Sequence, residues 1–226
     1  MSEVGATLRR PAGGRYAGGM IRTRRHPAAT QGTSRLESFT DGVFAIAATL
    51  LVLDLTAYAF GPIRSDAEMW AALGGMWELF LNFALSFLLL CLLWKTHVQQ
   101  FEHVARIDSV IIWLNNIRLL FIVLVPFATS LTTEYSDWLA GRLLMPVTFF
   151  FAILASYLQW MWAVRHRATM LPDLTDERAE AYGRGALSAL VISALVVALA
   201  PLVGSIAFAL FLLDSVGTRL FRGKGA

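Results

Sequence analysis

The chain has 226 residues, 57% of them hydrophobic and only 15% charged, with a formal net charge of +3. A soluble domain of this size needs more charge to cover its surface, so the balance excludes an ordinary water-borne globule and points to lipid. The single cysteine, Cys91, lies inside an apolar run; it excludes an internal disulfide and reads as a small core hydrophobe.

Seven arginines (Arg9, Arg10, Arg15, Arg22, Arg24, Arg25 and Arg35) precede the first apolar run. Residues 1–34 are rich in Arg, Gly, Ala and Thr and contain no apolar segment of the kind a secretory signal needs. They read as a disordered basic arm on the cytoplasmic side, either a plain solvated tail or one that brushes anionic lipid. Residues 35–222 read as one membrane domain and 223–226 as a short tail.

A hydrocarbon core of about 30 Å takes roughly 20 apolar residues in a helix, and several runs reach that length. The first spans Leu36 to Ala59 and ends at a loop with Gly61-Pro62. The second covers about Leu73 to Trp94 and closes at Lys95 and His97. Ile107 to Thr132 forms the third, with Pro126 near its far end, and Leu143 to Val164 the fourth. The polar stretch Arg165 to Arg184 ends in a new helix start capped by Thr175 or Asp173. The last run, Gly185 to Phe221, is too long for one span, and Pro201 and Gly204 divide it into two short ones. The expected architecture is therefore all-α with six transmembrane helices, five with a long kinked last helix being the alternative.

Six spans place 16 of the 19 Lys and Arg in loops on one side. That bias puts both termini in the cytoplasm of a multi-pass protein of the cell (plasma) membrane. Trp70, Trp77, Trp94, Trp138 and Trp162 fall near span ends, as interfacial anchors do.

Polar groups within a span are costly and are candidates for function. At about 100° per residue, Ile46, Leu50 and Leu53 share one stripe of the first span, with Thr49 on its edge and Asp41 roughly opposite. The stripe faces either lipid or a symmetry axis; periodicity leaves both open. Asp41 needs donors, and the candidates are His97, Asn115, Asn116 and Arg35. Arg118 in the third span needs a partner such as Glu78 or Asp54. Asp54 reads either as a snorkelling end residue or as part of a ring that gathers cations. Two carboxylate or imidazole groups do not make a proton path, so registry leads relay for Asp41 and His97.

No enzyme signature is present. His97 and His103 have the wrong spacing for two metal ligands on one helical face, and no phosphate loop or nucleophile elbow occurs. The N-terminal arginines lack interleaved aromatics, so nucleic acid is not an expected partner. No catalytic residue, metal or cofactor is expected.

The run Arg35-x-x-x-Phe39-Thr40-Asp41-Gly42-Val43-Phe44-Ala45-Ile46-Ala47 closely resembles the R-x-x-x-F-S-D signature of the lysosomal potassium channel family (transmembrane protein 175 type). The similarity continues through Trp94-x-x-His97-x-x-x-Phe101 and Asn116-x-x-x-Leu120 to Pro126-Phe127, covering roughly the first three spans. Thr40 departs from the family's usual serine and keeps the hydroxyl. The resemblance implies a homotetramer in which the first helix of each subunit lines a central pore without a carbonyl filter loop. By the same resemblance, Ile46 falls at the narrowest hydrophobic constriction, with Leu50 and Leu53 as further apolar rings. Thr49 falls at a hydroxyl layer assigned to selectivity. Arg35, Phe39, Thr40, Asp41, His97 and Asn116 map to a buried network that packs the helices. The function implied is a potassium-permeable cation channel, the ion and membrane lipid being its partners. The alternative is a secondary transporter or proton-coupled carrier using Asp41 and His97.

Overall fold

The computed structural model describes residues 32–56 and 60–211. Most of the basic arm, the tail and everything after Phe211 lie outside the described residues. The first span is α1 (Ser34–Leu50) continued by α2 (Val52–Thr56), the two separated by Leu51. α3 (Asp66–Gly75) starts at Ser65, whose hydroxyl accepts from the Glu68 N–H, while the Glu68 carboxylate reaches back to the Arg64 N–H. This reciprocal capping uses backbone donors that have no partner within the helix.

Three long helices follow: α4 (Trp77–Phe101), α5 (Ser109–Glu134) and α6 (Leu139–Arg165). Asp108 caps α5 by accepting from the Ile111 N–H at 2.9 Å. α4 overruns its apolar stretch into polar residues as far as Phe101, and α6 begins at Leu139, a turn before its own, because backbone pairing continues where hydropathy stops. His97, expected at the end of the second span, lies a full turn inside α4. A single turn, α7 (Arg167–Met170), precedes α8 (Asp176–Val203), and of the two cap candidates Thr175 is the one used.

α8 runs through Pro201 and stops at Gly204, which has φ of 61° and ψ of −144°. A side chain would be strained there, so glycine permits the turn. A 3₁₀ helix follows (Gly204–Phe208), and Phe208 turns back to pack edge-on against Phe149 of α6, ring centres 5.8 Å apart.

Among the described residues five helical stretches are long and apolar enough to cross a membrane, not the six expected. Pro201 does not itself end the helix: α8 continues two residues past it to Val203, and the chain turns at Gly204. The fifth stretch therefore counts as Asp176–Phe211. The second of the two expected terminal spans lies mainly after Phe211, outside the described residues.

Two apolar clusters hold the bundle. One joins Phe44, Ala47 and Leu51 of the first span to Ile122 and Val125 of α5 and Phe149 of α6. The other, nearer the arginine-rich end, gathers Leu36, Phe101, Ile111, Trp160, Met170 and Leu174. α6 is the most deeply buried span, with α5 on one side and α8 on the other.

The turn joining α5 to α6 is tight. A Cβ on Gly141 would collide with the Tyr135 carbonyl, and Thr132 donates to the Gly141 carbonyl at 2.8 Å. Arg142 donates to the Ser136 carbonyl at 2.6 Å and to the Pro201 carbonyl at 3.0 Å, tying this corner to the end of α8.

Candidate functional site

The first span is two-sided. Leu36, Thr40, Phe44, Ala47 and Leu51 are buried against the bundle. Ile46 is 61% exposed, Leu53 54% and Leu50 39%, so the aliphatic stripe looks away from the chain's own core. Thr49 is also exposed and donates its hydroxyl proton to the Ile46 carbonyl at 2.9 Å. With that proton engaged, its oxygen presents lone pairs to the open side. Arg35 and Phe39 lie on the exposed side as well.

Behind this face, three polar contacts tie the span to its neighbours. Asn115 of α5 donates its amide to the Thr40 hydroxyl at 2.9 Å, both groups fully buried. Trp94 of α4 donates its indole N–H to Asp41 at 2.9 Å. Arg118 of α5 stands over the Phe44 ring, 5.4 Å from its centre. The same guanidinium donates to His97 Nδ1 at 3.0 Å and to the Leu93 carbonyl at 2.7 Å. Further out, Ser86 and Thr129 share a hydroxyl contact of 2.7 Å, and Asn82 donates to Thr133 at 3.0 Å.

The structure thus brings Thr40 and Asp41 to partners from adjacent helices, Asp41 remaining exposed, and leaves Arg35, Phe39 and Asn116 exposed as well on this one chain. Three features differ from the pairings read from sequence. Asn115, expected as a donor to Asp41, reaches Thr40 instead, while Asn116 faces outward on α5. Arg118 meets neither Glu78 nor Asp54; its reach along the bundle takes it to α4 and the Phe44 ring. Asp54 lies half-buried in α2. Sequence reasoning missed Trp94 as the partner of Asp41, having counted it among the interfacial anchors. The spacing Trp94-x-x-His97 carried the signal, since it puts both rings on one face of α4.

Membrane-length helices, polar pairs between them and an exposed aliphatic stripe on the first helix define a polytopic α-helical membrane protein. Residues 35–126 match the family model described as "Endosomal/lysosomal potassium channel TMEM175". The chain is 40% identical over 104 residues to a potassium channel of Streptomyces collinus, covering 46% of this chain and 48% of that one. It is 38% identical over 103 residues to a potassium channel of Chamaesiphon minutus, covering 46% and 50%. It is also 32% identical over 146 residues to the endosomal/lysosomal proton channel TMEM175 of Mus musculus, covering 61% and 29%. The crystal structure of the Chamaesiphon minutus homologue of the lysosomal potassium-selective channel TMEM175 superposes with a TM-score of 0.67 at 24% identity. That superposition covers 83% of this chain and 96% of that one. Over residues 35–126 the chain is similar to the TMEM175 potassium-channel family. Its matched region spans about half the length of these bacterial relatives and under a third of the mouse one.

The expected location in the cell membrane is corrected by these comparisons: the vertebrate relatives are described as endosomal/lysosomal channels. Hydropathy and loop charge report only that helices cross a bilayer and which side is favoured; neither distinguishes one cellular membrane from another.

Proposed function

We propose that the chain is a potassium-permeable cation channel, assembled as a homotetramer with the first span of each subunit around a central pore. The observation that carries this reading is the exposed stripe of Ile46, Leu50 and Leu53, on a helix held in rotation by the buried Thr40–Asn115 contact and by the Asp41–Trp94 contact. Four copies of Ile46 around an axis make a constriction that excludes water until the helices part. Thr49, one turn along, offers hydroxyl oxygens where an ion has shed part of its hydration. In this reading Arg35, Phe39, Thr40, Asp41, His97 and Asn116 form the layer that packs the pore helices, the exposed ones toward neighbouring subunits. A six-span subunit belongs to the same reading and is supported by the reversal at Gly204 and the one-sided charge count.

The vertebrate relatives, described as proton channels, favour a second reading in which protons are the permeant ion. Potassium flux into proteoliposomes, with sodium as competitor and an internal pH dye, separates the two. Potassium flux that exceeds sodium flux and rises in Ile46→Asn supports the channel and its gate. Unchanged flux in Ile46→Asn removes Ile46 from the constriction. A dye response without potassium flux favours the proton reading.

A further inference from the structure

Arg118 is fully buried in the middle of α5, yet it makes no ion pair among the described residues. A buried cation is normally matched by a carboxylate, because leaving water costs it several kcal/mol. Its contacts are instead two acceptors on α4, His97 Nδ1 and the Leu93 carbonyl, and the π-face of Phe44 on α1. One guanidinium therefore touches the pore-side helix and both helices behind it.

The pairing with His97 fixes more than position. Arginine only donates, so Nδ1 of His97 is the acceptor and carries no proton. The ring's single proton is on Nε2, which is buried and has no partner among the described residues. A second proton on Nδ1 would remove the acceptor and set two cations about 3 Å apart in a site shielded from water. The charged groups on the helices around His97 are Arg118 and Glu134 on α5, Asp41, Glu37 and Arg35 on α1, and Glu78 and Lys95 on α4 itself. Of these, Arg118 holds the ring directly, and Asp41 is engaged by Trp94.

We propose that Arg118 is a positioning residue: it holds His97 as a neutral ring protonated on Nε2 and pins α1 through Phe44. This inference rests on contacts within one chain. A protein that conducts nothing would sink the channel reading and leave this one standing.

The experiment is ¹⁵N NMR of the full chain in lipid nanodiscs with labelled histidine, titrated from pH 8 to 5. The chain has four histidines, and the spectrum of a His97→Gln variant identifies the His97 signals by subtraction. The expected result is a His97 ring that stays neutral with an unprotonated, hydrogen-bonded Nδ1 throughout the titration. Gain of a second proton by His97 in this range overturns the proposal. In Arg118→Met the Nδ1 signal should move to that of an unbonded nitrogen and split between tautomers. Arg118→Lys, which keeps one donor, should restore part of the shift. A His97 spectrum identical in wild type and Arg118→Met overturns the assignment of Arg118 as its holder. Where neither variant inserts, the wild-type titration decides alone.

Discussion

The two halves of the bundle are held by different forces. Helices α1, α4 and α5 meet through polar pairs: Thr40 with Asn115, Asp41 with Trp94, His97 with Arg118, Ser86 with Thr129. Helices α6 and α8 meet mainly through close apolar packing, with Ala152, Ala155, Val196 and Ala200 buried and Phe149 and Phe208 as the large fillers, joined by bonds from Arg142 and Trp160 to the Pro201 and Ala179 carbonyls. In lipid, apolar contact gives no preference for one rotation of a helix over another, whereas a buried donor and acceptor match in one register only. Stability and register are thus divided between the halves. The half that needs rotational precision, because its first helix presents Ile46, is the half that carries the polar pairs.

Four substitutions sharpen or break that division, each measured as a change in unfolding free energy in mixed micelles. Phe149→Ala in the packed half should have the largest effect, about 3–5 kcal/mol, through the cavity it leaves beside Phe208 and Met145. Gly141→Ala should cost about 1–3 kcal/mol, because the new methyl meets the Tyr135 backbone and not a side chain that can swing aside. Asn115→Leu leaves the Thr40 hydroxyl without its donor and should cost about 1–2 kcal/mol, while loosening the rotation of α1. Ser86→Ala should cost only about 0.6 kcal/mol, the average for hydrogen bonds between membrane helices. An Asn115→Leu loss larger than that of Phe149→Ala would show that the polar half also holds the bulk of the stability, and the division would fail. Cysteine crosslinking at Ile46 in Asn115→Leu sharpens it from the other side: unchanged crosslinking would mean that the pair does not set rotation.

How much of this was legible in the sequence follows the same line. The spans were readable because hydropathy is additive along the chain; their ends were not, since α4 and α5 continue into polar residues on backbone pairing alone. Periodicity separated the stripe of Ile46, Leu50 and Leu53 from Asp41, and the structure leaves the one exposed while Trp94 takes up the other. The identities of the polar partners were not readable. Neighbouring Asn115 and Asn116 differ by one residue in sequence and by a third of a turn in space, and only the packing of α5 decides which faces inward. Arg118 was visible as an outlier; its lack of a carboxylate was not, because its long side chain reaches groups a turn away. The sixth span shows the limit of composition, where a length sufficient for two helices is realised, among the described residues, as one helix, a turn and the beginning of a return.

The corner at Gly141 bears on how the chain enters the membrane. Four residues, Tyr135 to Trp138, join α5 to α6, and the Thr132 hydroxyl crosses that corner to the Gly141 carbonyl. Two apolar helices so closely hinged leave the insertion machinery as a ready-made pair. Thr132 and Thr148 then never face hydrocarbon without an acceptor, since one bonds across the hinge and the other to the Leu144 carbonyl of its own helix. Glycosylation mapping of chains truncated after Glu134 and after Arg165 would detect this order of assembly, with stable integration of α5 expected only once α6 has been made.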